Sequence, residues 1–500
     1  MLLQMEHITK RYGEVTANRD VNFDLRAGEV HALVGENGAG KTTLMRMLYG
    51  MEQPTSGTIR VRGQEVSFTD PSRAIASGIG MVHQHFMLFP SFTVAENIVI
   101  GREPSSAGGR FNRKAAAASV EELGRRYGMP VDPSARVSDC PMGMQQRVEI
   151  LKVLYQGADM IILDEPTGAL TPLEVKELLT NIQALAGQGK SFILITHKLH
   201  EVMEAADRVT VLRDGQVTGT VAVADTDVEQ LSRMMVGREL VQLRKQPSIP
   251  GEPILQVEKL VVRGTRDKLL LNRIDLQVRA GEIVGVAGIS GNGQSELIQA
   301  VAGLRKADEG TVRLAGTDIA GMPVRRIRER GLAHIPEDRY LWGAAKDATV
   351  LDNGIMGYQH KLKRGGMVNS KSARVMVSEW ITRFGIKAGS LDNQVQNLSG
   401  GNLQKLIAAR EFAQDAPFLI VAEPTRGVDI GAMETIHTEL IRKRDAGTAI
   451  LLVSSELTEI LQLSDRIVVM YEGAIAGELA AADATEEKIS LLMAGGSLQA

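Results

Sequence analysis

Residues 26–44 read RAGEVHALVGENGAGKTTL, and within them Gly35-Glu36-Asn37-Gly38-Ala39-Gly40-Lys41-Thr42 fits the pattern GxxxxGK[ST]. Context carries as much as the letters. A β-branched apolar run over 30–34 precedes the loop, and a helical stretch, TTLMRML, follows from Thr42, with Thr43 next in it. Glycines let such a loop curl so that backbone N–H groups point inward, and the helix N-terminus adds partial positive charge. Lys41 is then placed to neutralise the β- and γ-phosphates of a nucleotide, and Thr42 to ligate Mg²⁺.

The stretch occurs twice. RAGEIVGVAGISGNGQSEL starts at Arg279, an offset of 253 (279 − 26), and the same offset sets SGTIRVRG from Ser56 over EGTVRLAG from Glu309. Further on, ILDEPTGAL aligns with IVAEPTRGV at an offset of 258 (422 − 164), so about five residues are inserted between. Each copy has a strand-rich start, then β-branched runs bounded by Gly, Asp or turn residues. In the first copy these are 30–34, 160–163, 192–196 and 208–212, which suit buried parallel strands. The segment 112–127, with its Ala run and Glu-Glu pair, reads as a helix of a separate helical lobe. The organisation expected is a first domain over 1–240, a linker over 241–253 and a second domain over 254–500. The stretch QPSIPGEP puts Pro247, Pro250 and Pro253 in that linker, which makes it short, stiff and extended.

Four further elements belong with the loop. MIILDEPT brings Asp164 and Glu165 to a strand end, where Asp164 would hold Mg²⁺ through water and Glu165 would act as general base on the attacking water. His197 ends the run FILITH and could contact a γ-phosphate, although a lone His at a strand end is usually structural. Gln84 reads as a sensor of Mg²⁺ and the γ-phosphate, and Tyr12 as a platform for adenine.

Composition narrows the class. Lys+Arg is 57 and Asp+Glu is 60, a net charge of −3, so the chain has no global field for nucleic acid or anionic lipid. Hydrophobic residues are 44% and charged residues 23%, as in globular proteins with large cores. The lone Cys140 cannot form an internal disulfide, and no Cys/His cluster has zinc-ligand spacing. No run approaches the ~20 apolar residues of a spanning helix, so a membrane role is expected to come through a partner.

These motifs in this order, with LSGGN at 398–402, resemble the ATP-binding-cassette ATPases, and most of all the fused double-cassette subunits of bacterial importers for simple sugars and nucleosides. GMQQRVEI (143–150), IPEDR (335–339), GNGQ (291–294) and LSGGNLQK look most like the nucleoside branch. The resemblance implies an α/β fold of two tandem ATP-binding cassettes (P-loop NTPase domains) facing head to tail. Each ATP would lie between one copy's phosphate loop and the other's signature motif.

Site one would join the residues from Gly35 to Thr43, with Tyr12, Gln84, Asp164, Glu165 and His197, to Ser399, Gly400, Gly401 and Asn402. Lys41, Glu165 and His197 would be its catalytic residues, and Thr42, Gln84 and Asp164 its Mg²⁺ ligands. Site two would be built on Gly288, Gly293, Gln294 and Ser295, where Gln294 replaces the lysine. There Glu337 stands at the Gln84 position, Ala422 replaces the aspartate, Glu423 remains and Ser455 aligns with His197. Its signature comes from the first copy, where Pro141 stands at the serine position and lacks both hydroxyl and N–H. The losses fall on one composite site, which leaves that site either a binder without turnover or merely structural.

The function the resemblance implies is an ATPase energising import of a nucleoside or simple sugar, peripheral on the cytoplasmic face. It would work with membrane-spanning permease subunits and a solute-binding protein, and touch neither the solute nor nucleic acid. HFMLFPSF (85–92) is the most aromatic stretch and would form part of the groove for a permease helix, or ordinary core of the helical lobe. The basic runs at 325–330 and 364–366 read as solvated helix faces. A rival is a soluble double-cassette factor acting on ribosomes or nucleic acid, against which the short linker and near-neutral charge count.

Overall fold

The computed structural model describes residues 1–84, 86–105, 109–168, 170, 172–238, 245–265, 268–289, 291–364 and 367–497. His85 and residues 365–366, part of two stretches singled out above, lie outside the described residues, as do 241–244 of the linker. Two compact units divide the chain, Met1–Leu240 and Val241–Ala500.

In the first unit a six-stranded sheet runs in the order Gln216–Ala222, Arg208–Arg213, Val30–Gly35, Ser191–Thr196, Met160–Asp164, Ile79–Val82. Only the Gln216–Ala222 strand is antiparallel to its neighbour; the others are parallel. The reason is in the residues. Val30–Gly35, Met160–Asp164 and Ser191–Thr196 are buried at every position, as strands covered on both faces must be. Their side chains alternate between two cores. Val30, Ile161 and Phe192 pack with Val94, Ile98, Val120 and Leu151 of the helical lobe, whereas Leu33, Ile162 and Ile193 pack with Leu3, Phe23 and Ile59.

Those last residues belong to a four-stranded antiparallel sheet, ordered Val15–Leu25, Leu3–Tyr12, Ser56–Val61, Gln64–Val66. Among the described residues the helical lobe holds three α-helices. Val94–Val99 starts at a Thr93/Glu96 capping box, Arg113–Arg126 at an Asn112 cap, and Met142–Tyr155 at Pro141, which offers no side-chain cap. The helix expected over 112–127 is therefore present.

The second unit repeats this plan. Its six-stranded sheet is ordered Leu332–Ile335, Phe418–Ala422, Ala449–Val453, Ile283–Ala287, Arg466–Tyr471, Ala474–Ala480. The antiparallel sheet runs Leu269–Arg279, Pro253–Arg263, Glu309–Leu314, Thr317–Asp318. Its lobe carries Val350–Gly354, Ser370–Arg383 and Gly400–Phe412, capped by Thr349, Asn369 and Ser399. The α/β class with parallel-sheet cores and helical lobes is as the sequence leads one to expect.

Residues 245–253 run along the second unit. Lys245 pairs with Asp465 at 3.3 Å, the guanidinium of the buried Arg444 donates to the Gln246 carbonyl at 2.7 Å, and Ser248 Oγ donates to the Gly281 carbonyl at 2.6 Å. Among the described residues no helix is long and apolar enough to cross a membrane.

Candidate nucleotide site

Parallel pairing puts the C-terminal ends of Val30–Gly35, Ile79–Val82, Met160–Asp164 and Ser191–Thr196 along one edge of the sheet. The loops leaving those ends carry Lys41, Gln84, Glu165 and His197. In open α/β sheets this edge is where ligands bind.

The phosphate loop is held in shape by glycine where nothing else fits. A Cβ on Gly35 would sit 2.2 Å from the Leu212 carbonyl oxygen, and Gly40, at φ +99°, would put one 2.4 Å from that of Ala17. Gly40 opens the helix Lys41–Leu48 without a side-chain cap, so the first N–H groups of that helix are left for a ligand. Ala39 donates its N–H to the Glu36 carbonyl at 3.0 Å and closes the turn; Gly38 stands in open space. Lys41 is buried, and its Nζ donates to the carbonyls of Gly35 at 2.7 Å and Glu36 at 3.0 Å. Burial lowers its pKa, opposed by the carboxylates of Glu165 and Asp164.

Those carboxylates stand beside it with different characters. Asp164 lies 3.5 Å from the Thr42 hydroxyl; burial raises its pKa, with Glu165 adding to the rise. Glu165 is held below its ordinary value, first by its hydrogen bond with His197, against the cost of burial. His197 Nδ1 lies 3.1 Å from Glu165 Oε1, and Gln84 Nε2 donates to Oε2 at 2.8 Å. Glu165 sits at φ +48°, and its N–H donates to the Ile195 carbonyl at 2.9 Å, which fixes the turn against the next strand. Lys41, Thr42, Gln84, Asp164, Glu165 and His197 thus form one cluster. Tyr12 is 46% exposed; its hydroxyl donates to the Glu52 carboxylate, and Lys10 lies 5.0 Å from its ring centroid.

A residue the sequence did not single out supports this cluster. Glu201, buried on the helix Leu199–Ala205, accepts from the hydroxyls of Thr167 at 2.5 Å and Thr196 at 3.0 Å. It therefore ties the turn after Glu165 to the strand end before His197. Its one sequence signal is an acid on the inward face of LHEVMEA.

The donor set suits Mg²⁺. Among the described residues no three His, Cys, Asp or Glu side chains converge as a metal cage. The site instead offers one or two carboxylates, a hydroxyl and an amide. Mg²⁺ is commonly held so, completed by phosphate oxygens and water.

The second unit keeps the backbone and changes the chemistry. Gly293, at φ +106°, opens the helix Gln294–Val301, and Gln294 Nε2 donates to the Ile289 carbonyl at 3.2 Å. A Cβ on Gly288 would lie 2.1 Å from that amide nitrogen. Ser295 Oγ donates to Glu337 at 2.7 Å. Ala422 is fully buried, and Glu423, at φ +46°, accepts from the Ser455 N–H at 2.7 Å and hydroxyl at 2.9 Å. Burial pushes the Glu423 carboxyl up to about 7.

The two signature segments differ as well. Ser399 caps the helix Gly400–Phe412 by accepting from the Asn402 N–H at 3.4 Å and its amide at 2.8 Å. The space beside Gly401 is narrow, 3.1 Å from a notional Cβ to the Gly427 carbonyl. Arg339, also missed in the sequence, donates to the carbonyls of Gly400 at 2.6 Å and Arg426 at 3.0 Å. Pro141 has the same extended backbone as Ser399 but caps nothing.

In the aromatic stretch Met87, Phe89 and Phe92 are exposed, while Leu88 packs on the core. The basic helix Val324–Glu329 is solvated at Arg325 and Arg326, which pair with Glu329, but Arg328 turns inward to the buried Glu411 at 3.0 Å.

The family model described as "ABC transporter" matches residues 18–168 and 271–426. The chain is 46% identical to the guanosine import ATP-binding protein of Bacillus subtilis (strain 168), covering 99% of this chain and 97% of the relative. It is 44% identical to the nucleoside import ATP-binding protein of Lactococcus lactis subsp. cremoris (strain MG1363), over 99% of each. Among solved structures, an archaeal ribosome recycling factor in complex with ribosomal stalk protein is alike at TM-score 0.61, with 19% identity over 93% of this chain and 87% of that one. At that identity the likeness concerns the fold alone. Two family matches in one chain, and relatives alike from end to end, establish that the chain belongs to the ABC transporter family.

Proposed function

We propose that the chain is the ATP-hydrolysing subunit of an importer for a nucleoside or simple sugar, working through separate membrane-spanning permease subunits. The observation that carries this is the cluster of Lys41, Thr42, Gln84, Asp164, Glu165 and His197 at the strand ends of the first unit. The nucleoside choice is supported by two relatives named for guanosine and nucleoside import. The complex would sit at the cytoplasmic face of the membrane, with a solute-binding protein delivering the solute.

In the reaction, Lys41 and the N–H groups opening its helix hold the β- and γ-phosphates. Thr42, Asp164 and Gln84 would hold Mg²⁺, which would supply charge neutralisation when bound. The hydrogen bond from His197 holds the Glu165 carboxyl below its ordinary value against the cost of burial, and the carboxylate accepts the proton of the attacking water. The water oxygen bonds the γ-phosphorus while the bond to the bridging oxygen breaks, giving ADP and phosphate. Gln84 and His197 each hold one oxygen of Glu165 and so fix its direction. Tyr12 would stack on adenine. As the resemblance implies, Ser399, Gly400, Gly401 and Asn402 would complete this site, while the site on the second loop would be either a binder without turnover or merely structural.

The test is uptake of radiolabelled guanosine and ribose into proteoliposomes containing the chain with its co-purified permease subunits, loaded with ATP and supplied outside with the co-purified solute-binding protein. ATP-dependent uptake of either, abolished by Glu165→Gln, is expected. ATP hydrolysis without uptake of any nucleoside or sugar would overturn the importer reading.

A further inference from the structure

The stretch GMQQRVEI places Glu149 on the inward face of the helix Met142–Tyr155, where it is 2% exposed. A buried carboxylate is costly unless it is hydrogen-bonded and paired. Glu149 is hydrogen-bonded by the distant Met87 and paired with Lys152 on its own helix. Its Oε1 accepts the Met87 N–H at 2.6 Å. One turn along the helix, Lys152 Nζ donates to the Met87 carbonyl at 2.9 Å and to Glu149 Oε2 at 3.4 Å. An ion pair on the helix that Pro141 opens therefore grips both backbone groups of a single loop residue.

That residue lies between two functional places. Three positions before it, Gln84 bonds Glu165. Beyond it the Met87, Phe89 and Phe92 side chains project into solvent, the two rings stacked with centroids 5.1 Å apart. The grip is peculiar to the first unit. Asn97 bonds the Phe89 N–H and carbonyl just as Asn353 bonds those of Ala345, so that contact occurs in both units. At the positions equivalent to Glu149 and Lys152 (149 + 258 = 407 and 152 + 258 = 410), however, stand Ile407 and Arg410. Arg410 donates to the Asn353 carbonyl at 3.1 Å and to Glu411 at 2.9 Å.

We propose that Glu149 and Lys152 are positioning residues that link the exposed Met87–Phe89–Phe92 ridge to the helix Met142–Tyr155, so that seating of a membrane-spanning subunit on the ridge changes the rate at Glu165. This rests on the importer reading above. Neither residue touches the nucleotide loop, and neither acts on the reacting atoms.

The experiment compares the ATPase rate of the full chain alone with its rate when assembled with co-purified membrane-spanning subunits in lipid nanodiscs. In Glu149→Gln and Lys152→Met the basal rate is retained, and the stimulation ratio falls by about fivefold or more. Lys152→Arg, which still donates to the Met87 carbonyl, restores most of that ratio. An unchanged ratio in both loss variants, with the wild type stimulated, overturns this inference alone. Basal and stimulated rates falling in proportion also overturn it, since the pair would then serve only the fold. A wild type that hydrolyses ATP but is not stimulated at all overturns this inference, and one that also drives no uptake in the proteoliposomes overturns the importer reading with it. Should Glu149→Gln fail to fold, Lys152→Met carries the comparison, because its ammonium is at the rim of the buried site.

Discussion

Glu165 and Glu423 occupy the same turn of the two units, at φ +48° and +46°, each with its N–H bonded to the neighbouring strand. Their chemistries are opposite. Glu165 faces His197, Gln84 and Lys41 and is held ionised; Glu423 has Ser455 for a partner and is pushed up to about 7. The two units thus share a backbone while Gln294, Glu337, Ala422 and Ser455 stand where the first has Lys41, Gln84, Asp164 and His197. Main-chain hydrogen bonds and glycine contacts set the common shape.

The comparison breaks first at the base. Glu165→Gln is expected to lower steady-state ATP turnover by about 10²–10⁴-fold, and Glu423→Gln by less than about twofold; similar losses from both would erase the asymmetry. Lys41→Ala is expected to cost about 10²–10³-fold in the same assay, against little change for Gln294→Ala, since a neutral amide contributes no charge to the transition state.

A pH experiment sharpens it. The Glu423 carboxyl is raised in the folded chain, from 4.5 to about 7, so the folded state binds more protons than the unfolded one between those values. Stability therefore falls as pH rises from about 4.5 to 7 and stays lower above that. Denaturant unfolding at pH 8 should show Glu423→Gln more stable than wild type by roughly 1–3 kcal/mol, a difference that vanishes near pH 4. The smallest effect lies at the caps. Without nucleotide, Ser399→Ala should lose about 0.5–2 kcal/mol and Pro141→Ser should gain a similar or smaller amount, both read by thermal unfolding.

Much of this was legible in the letters. The buried strands Met160–Asp164 and Ser191–Thr196 announce themselves as unbroken apolar runs, and the loop at Gly35–Gly40 by glycines that the Leu212 and Ala17 carbonyls demand. Parallel strands then bring residues far apart in sequence to one edge, which is why motif reading located Gln84, Glu165 and His197 together. What sequence could not reveal are side chains that bond distant backbone. Glu149 on Met87 and Arg339 on Gly400 have no period and no motif spacing, and neither does Glu201, which bonds the hydroxyls of two threonines. Arg328, read as one of a solvated row, is turned inward by Glu411, an acid that sequence gives no reason to pair with it.

The segment 245–253 has a practical consequence for anyone dividing the gene. Arg444 loses its acceptor at Gln246, and Asp465 its ammonium neighbour at Lys245, if the second half is expressed from the start of its first strand at Pro253. A truncation that begins at Lys245 keeps both contacts and is the boundary at which the isolated half should remain intact.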